Sequence, residues 1–185
     1  MRNVTKLLRK YNGDKLAKIM VEDECDIIPR ITVNNIPNPQ SVYPEIKEIL
    51  ISRCKLNPKD INERVYEHTK GDPEKIHIFL EAWKQKDKYT RILYELEIDI
   101  ILRPVNKPQI KYVGNLDIEI KGTVETSYPQ KTALQKSIVW DAFRAFYEKA
   151  LYGDLREEYM EDCRKYVIRL RDGIQGFLDL LPKMN

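Results

Sequence analysis

From residue 64 to residue 128, apolar side chains recur at every second position, and runs of turn-forming residues interrupt them at regular intervals. Successive side chains on a strand point to opposite sides, so this period marks strands with one covered face. Four strands are predicted, over 64–69, 74–84, 89–103 and 109–124. The second alternates Ile76, Ile78, Leu80 and Ala82 with His77, Phe79, Glu81 and Trp83. The third sets Ile92, Tyr94, Leu96, Ile98, Ile100 and Leu102 against Leu93, Glu95, Glu97, Asp99 and Ile101. The fourth sets Ile110, Tyr112, Gly114, Leu116, Ile118 and Ile120 against Lys111, Val113, Asn115, Asp117, Glu119 and Lys121, so the two patterns match face for face. Lys70-Gly71-Asp72-Pro73, residues 85–88 and Pro104-Val105-Asn106-Lys107-Pro108 reverse the chain between them. Strands of about 15 residues would extend about 50 Å, which requires a sheet that twists and curves strongly.

The flanking segments change period. Val4, Leu7, Leu8 and Tyr11, then Leu16, Ile19 and Met20, recur at helical spacing on either side of Asn12-Gly13, which predicts two short helices or one kinked helix. β-branched residues over 27–33 predict a short strand, and the proline- and asparagine-rich stretch 34–44 predicts a loop. Ile46, Ile49 and Leu50 mark one face of a helix over 41–54, and Asn57-Pro58 opens a further short helix ending near 64. Thr132-Ala133-Leu134-Gln135 is a capping-box pattern that opens a helix to 152. Asp154 begins another, whose stripe of Leu155, Tyr159, Cys163, Val167, Leu170, Ile174 and Leu178 runs almost to the terminus, with Gly173 as a place for a kink. The chain therefore reads as an α+β protein forming a single domain over 1–185. Within it lie a mainly helical N-terminal portion over 1–63, a strongly curved four-stranded antiparallel meander over 64–128, and a helical hairpin over 131–182. The two C-terminal helices are expected to pack on the meander.

Composition narrows the class. A 42% hydrophobic and 33% charged chain carries enough apolar residues for a packed core, which a disordered chain lacks. Its 32 basic and 29 acidic residues leave a formal charge of only +3, so nucleic-acid binding must be argued locally. The three cysteines, Cys25, Cys54 and Cys163, are far apart and odd in number, unlike a disulfide framework or a paired metal motif, and predict a reducing, cytoplasmic setting. No stretch approaches the ~18 apolar residues of a membrane span. Richness in Lys, Ile and Glu would suit a heat-adapted source.

Candidate chemistry lies on the polar face of the meander. Alignment of the apolar faces puts Asp117 and Glu119 on the same side as Glu95, Glu97 and Asp99, joined by Lys111 and Lys121. Like charges set opposite one another are unfavourable. A divalent cation, Mg or Mn, held by Glu97, Asp99, Asp117 and Glu119 would relieve that repulsion and supply Lewis acidity. Within this set, Asp99 followed by Glu119-Ile120-Lys121 resembles the acidic-residue-then-ExK pattern of the PD-(D/E)xK nuclease superfamily over residues 99–121. That resemblance implies a metal-dependent phosphodiester hydrolase in which Asp99 and Glu119 hold the metal and Lys121 assists water attack. The plainer reading is the solvated side of a one-sided antiparallel sheet, where alternating charge is the normal pattern.

Trp83, Lys84, Lys86, Lys88, Tyr89 and Arg91 interleave aromatics with cations at a hairpin tip, the footprint of a single-stranded nucleic-acid binder. Lysine-rich turns serve equally to block edge pairing. His68 and His77 flank the first hairpin turn. With no cysteine or fixed carboxylate at ligand spacing, they read as structural or exposed. Eleven tyrosines and a sheet beneath a long helix suit a carrier of a small apolar ligand held between sheet and C-terminal helix. No glycine-rich phosphate loop occurs. The leading expectation is a non-enzymatic binding or interaction module without a resident cofactor, with a homodimer as its candidate assembly. The metal-dependent nuclease and the apolar carrier are its rivals.

Overall fold

The structure, a computed structural model, describes residues 5–12, 15–107, 110–129 and 153–181. In chain order the elements are β1 (Thr5–Asn12), β2 (Lys15–Glu24), β3 (Arg30–Pro37), α1 (Val42–Ser52), β4 (Ile61–Thr69), β5 (Glu74–Gln85), β6 (Thr90–Lys107), β7 (Ile110–Pro129) and α2 (Gly153–Leu180). The strands form one curved antiparallel sheet in the order β1-β2-β7-β6-β5-β4, with β3 also paired to β7. β2 and β3 share one edge of β7: β2 pairs with its C-terminal half and β3 with its N-terminal half. Between them the Cys25 N–H donates to the Gly122 carbonyl at 2.8 Å, and the Ile120 N–H donates to the Pro29 carbonyl at 3.1 Å. The pair behaves as one long strand interrupted by a bulge.

The alternation over 64–128 fixes the register of the meander. Ile76 pairs with Ile100 and Ile100 with Leu116, Ile78 with Ile98 and Ile98 with Ile118, and Leu80 with Leu96 and Leu96 with Ile120. All nine side chains are buried, because a slip of one residue would turn every one of them to the opposite face. The covering layer is helical. α2 contributes Tyr159, Met160, Cys163, Val167, Leu170, Ile174 and Leu178, and α1 contributes Ile46, Ile49 and Leu50, to a single cluster with the sheet. At Gly173 the helices approach so closely that a Cβ would lie 2.9 Å from the Ile49 Cγ2, so this glycine serves contact between helices.

Several expectations are corrected. The N-terminal portion over 1–63 holds more strand than helix among its described residues: β1 and β2 form a hairpin in which Asn12 pairs with Lys15, and the described sheet has seven strands where the meander is expected to have four. The helical spacing of Leu7, Leu8 and Tyr11 misled because Asn12-Gly13, a strong short-range hairpin signal, was outweighed by it. The helix expected to end near 64 is a single 3-10 turn, Pro58–Asp60, before β4. Asn57 nonetheless caps it, its side chain accepting from the Lys59 N–H at 3.2 Å. Only one of the two C-terminal helices, α2, is described, and the helix expected over 132–152 lies outside the described residues.

The cysteines are corrected too. Cys25 and Cys163 form a disulfide with a Cα–Cα distance of 6.4 Å, tying the end of β2 to the middle of α2. Gly122 lies beneath it: a Cβ there would sit 2.7 Å from the Cys163 Sγ and 2.8 Å from the Val167 Cγ2. Spacing could not reveal the pair, since 138 residues separate the partners and the fold alone brings them together. Cys54 is buried and free, its thiol pushed up to about 11 by burial. No described helix is long and apolar enough to cross a membrane.

Candidate functional site: the open face of the sheet

The face of β5, β6 and β7 turned away from the described helices, α1 and α2, carries the charged half of the alternating pattern. Glu81 pairs with Glu95 and Glu95 with Lys121, Glu97 with Glu119, His77 with Asp99, and Asp99 with Asp117. A recess of about 350 Å³ opens on this face, bounded by β2 at one side and β4 at the other. Those strands stand on either side of β7, β6 and β5 in the sheet, so the sheet is hollowed across this face. Leu93 and Thr123 lie buried among the lining residues, although both point away from the helices.

Five carboxylates, Glu22, Glu24, Glu81, Glu95 and Glu125, and three cations, Arg64, Arg91 and Lys121, line the recess. Each cation has a partner. Arg64 meets Glu81 at 2.6 Å, Arg91 meets Glu125 at 2.6 Å, and Lys121 meets Glu24 at 2.8 Å, the last contact raising the lysine above its ordinary value. Glu22 and Glu95 are left with neither hydrogen bond nor ion pair among the described residues. Glu95 is half-buried. Burial holds its carboxyl above the usual carboxylate range, Glu81, Glu125 and Glu22 push the same way, and Lys121 pulls against them.

Further along the face, the His77 Nδ1 lies 2.8 Å from the Asp99 Oδ1, and this hydrogen bond raises the imidazole above its ordinary value, reinforced by the charges of Asp99, Glu97 and Glu67. His68 is separate from it. It pairs with Ile76 in the ladder and meets Glu74 at 2.8 Å, so the two histidines serve different carboxylates. Asp117 is committed to Arg30, with contacts of 2.5 to 3.2 Å, and this partner lowers its carboxyl.

The residues singled out by sequence are thus distributed over several environments. Asp99 joins His77 and Glu97 in a group whose ligand atoms all lie within 4.8 Å of one another, whereas Asp117 and Glu119 are not members of that group. Lys121 sits on the recess instead, beside Glu24. The hairpin-tip cations divide between the two faces. Lys84 reaches the Tyr166 hydroxyl at 2.5 Å and lies over its ring, and Lys86 meets Asp162 at 2.5 Å, so both lean onto α2. Arg91 lies on the open face with its guanidinium 5.7 Å from the Trp83 ring centroid, while Lys88 stands over Tyr89. Sequence reasoning missed Glu22, Glu24, Arg64 and Glu125. The signal available was the acidic run after Met20, which could be placed on this face only by reading 15–24 as a strand.

No protein-family model and no curated protein matches the chain. Several solved structures align with it, two of them over most of its length. A protein of unknown function from Staphylococcus aureus is 10% identical, with 83% of this chain and 96% of that one covered, at a TM-score of 0.19. Truncated norcoclaurine synthase from Thalictrum flavum is 8% identical, with 89% and 97% covered, at a TM-score of 0.20. Neither likeness bears on the fold or function of this chain.

Proposed function

We propose that the chain is a non-enzymatic binding module whose recess takes a small organic cation, an amine or a guanidine carried on a short hydrocarbon stem. The observation that carries this reading is Glu95, half-buried on the wall of a hollow of about 350 Å³ and making neither hydrogen bond nor ion pair among the described residues, with Lys121 acting on it only at longer range. Removing a carboxylate from water without pairing it is unfavourable, and a bound cation would reverse that cost. The carboxylates outnumber the cations in the lining, Glu22 supplies a second open acceptor, and Leu93 with Thr123 gives methylene groups a surface to lie against. The volume falls within the usual range for small-ligand sites. Each charge-assisted hydrogen bond to such a ligand would contribute about 1.5–3 kcal/mol.

This reading puts the ligand on the face opposite the helices, whereas an apolar carrier would hold it between sheet and helix. The cytoplasmic expectation and the Cys25–Cys163 bond are compatible in a heat-adapted source, since intracellular proteins of hyperthermophiles are a known exception to the scarcity of cytosolic disulfides.

Calorimetric titration of the full chain with agmatine, spermidine and an uncharged amide of similar length tests the proposal. The two cations are expected to bind, more weakly as salt is raised, and Glu95→Gln is expected to cut their affinity at least tenfold. Equal binding of the amide, or an unchanged affinity in Glu95→Gln, would remove the recess as a cation site.

A further inference from the structure

We propose that His77, Glu97 and Asp99 form a zinc-class metal site on the same face, separate from the recess lined by Glu95. The three ligand atoms, one imidazole nitrogen and two carboxylate oxygens, converge within 4.8 Å of one another. They come from neighbouring central strands. His77 on β5 is the ladder partner of Asp99 on β6, and Glu97 lies two residues before Asp99 on the same side of that strand. Backbone pairing on both sides of β5 and β6 fixes the three Cα positions; Asp99 already meets His77 at 2.8 Å, and the exposed Glu97 makes no hydrogen bond or ion pair among the described residues that would hold it away.

Zinc ligand bonds are about 2.0–2.2 Å long, so closing the group around one ion requires side-chain movement alone. The surrounding charge favours an ion. Glu97 stands directly opposite Glu119, and Asp99 opposite Asp117, like-charge pairings that are unfavourable unless a cation intervenes. Arg30 makes its ion pair with Asp117 and reaches Glu119 and Asp99 only through longer-range charge. Glu67 is the ladder partner of His77 on the other side, and a hollow of about 400 Å³ bounded by Glu67, His77 and Asp99 leaves room for water to complete the coordination.

The donor set decides the metal class. Three carboxylates or carbonyls would suit magnesium or calcium, but an imidazole with two carboxylates suits zinc, cobalt or nickel. The imidazole is the feature that separates this site from the all-carboxylate set expected from sequence. Binding releases whatever proton the coordinating nitrogen carries, and no other bond changes.

Titration of the full chain with zinc chloride, followed by calorimetry and by the carbon-bound imidazole proton signals, tests the site. The expected result is one equivalent bound, with the His77 signals shifted and the His68 signals unmoved. His77→Ala is expected to weaken binding at least a hundredfold, and Glu97→Gln and Asp99→Asn at least tenfold each. His68→Ala and Glu95→Gln are expected to leave it unchanged, so failure of the metal site and failure of the recess are told apart. Circular dichroism of each variant confirms the fold. Undiminished zinc affinity in His77→Ala, displacement of zinc by equimolar magnesium, or no binding at micromolar zinc would overturn the proposal.

Discussion

Gly122 is the residue at which sheet, helix and disulfide meet, and its missing side chain is what lets them. A methyl group there would press on the Cys163 Sγ, on Val167 and on the Cys25 Sγ, none of which is the loose end of a long side chain. Gly122→Ala is therefore expected to cost about 1–3 kcal/mol through overpacking, read as a lower urea midpoint at unchanged slope. Glu95 makes the opposite case, since its ionised form is a burden to the folded chain. With the folded-state carboxyl held above its unfolded value, the folded chain binds more protons between the two values, and stability falls as pH rises through that window. Glu95→Gln is thus expected to stabilise the protein at pH 7 by on the order of 0.5 kcal/mol. The advantage should vanish below about pH 3, where the wild-type carboxyl is protonated in both states. Urea melts of both proteins at the two pH values measure it. A variant less stable than wild type at pH 7 would show that Glu95 is already satisfied.

At the scale of elements, the three inner strands of the meander were legible because their two faces differ in chemistry at every step. Ile98 and Glu97 cannot exchange places without burying a charge. The N-terminal strands were not legible, because Leu7, Leu8 and Tyr11 satisfy a helical period as well as a strand pairing, and only the pairing of β1 with β2, and of β2 with β7, decides between them. The disulfide belongs to this scale, since it joins β2 to α2 and depends on both being in place. Replacing Cys25 and Cys163 together by serine is expected to cost about 2–5 kcal/mol, as for other long closed loops, measured as a lowered unfolding midpoint. Thiol titration of the unreduced, denatured chain should count one free thiol, that of Cys54. Three would show that the bond is absent.

For the whole molecule, the division of labour between the faces of the sheet is the organising fact. One face is committed to the helices through Ile78, Leu96, Ile98 and Ile118, and the other carries charge across five strands. The sequence pattern predicted that second face and its acidic residues, including Glu95, Glu97 and Asp99. It could not show that the face is hollow, because concavity comes from curvature shared among β2, β4 and the strands between. Nor could it separate paired carboxylates from unpaired ones, since Arg30, Arg64 and Arg91 reach their partners from other strands. The most direct test of the account is a carbon-detected NMR titration of the Glu95 carboxyl, with and without saturating agmatine. An apparent pKa above the ordinary glutamate range is expected in the free protein, with a fall when the cation is added, because a nearby positive charge favours the ionised form. A carboxyl that titrates in the ordinary range and ignores agmatine would contradict it.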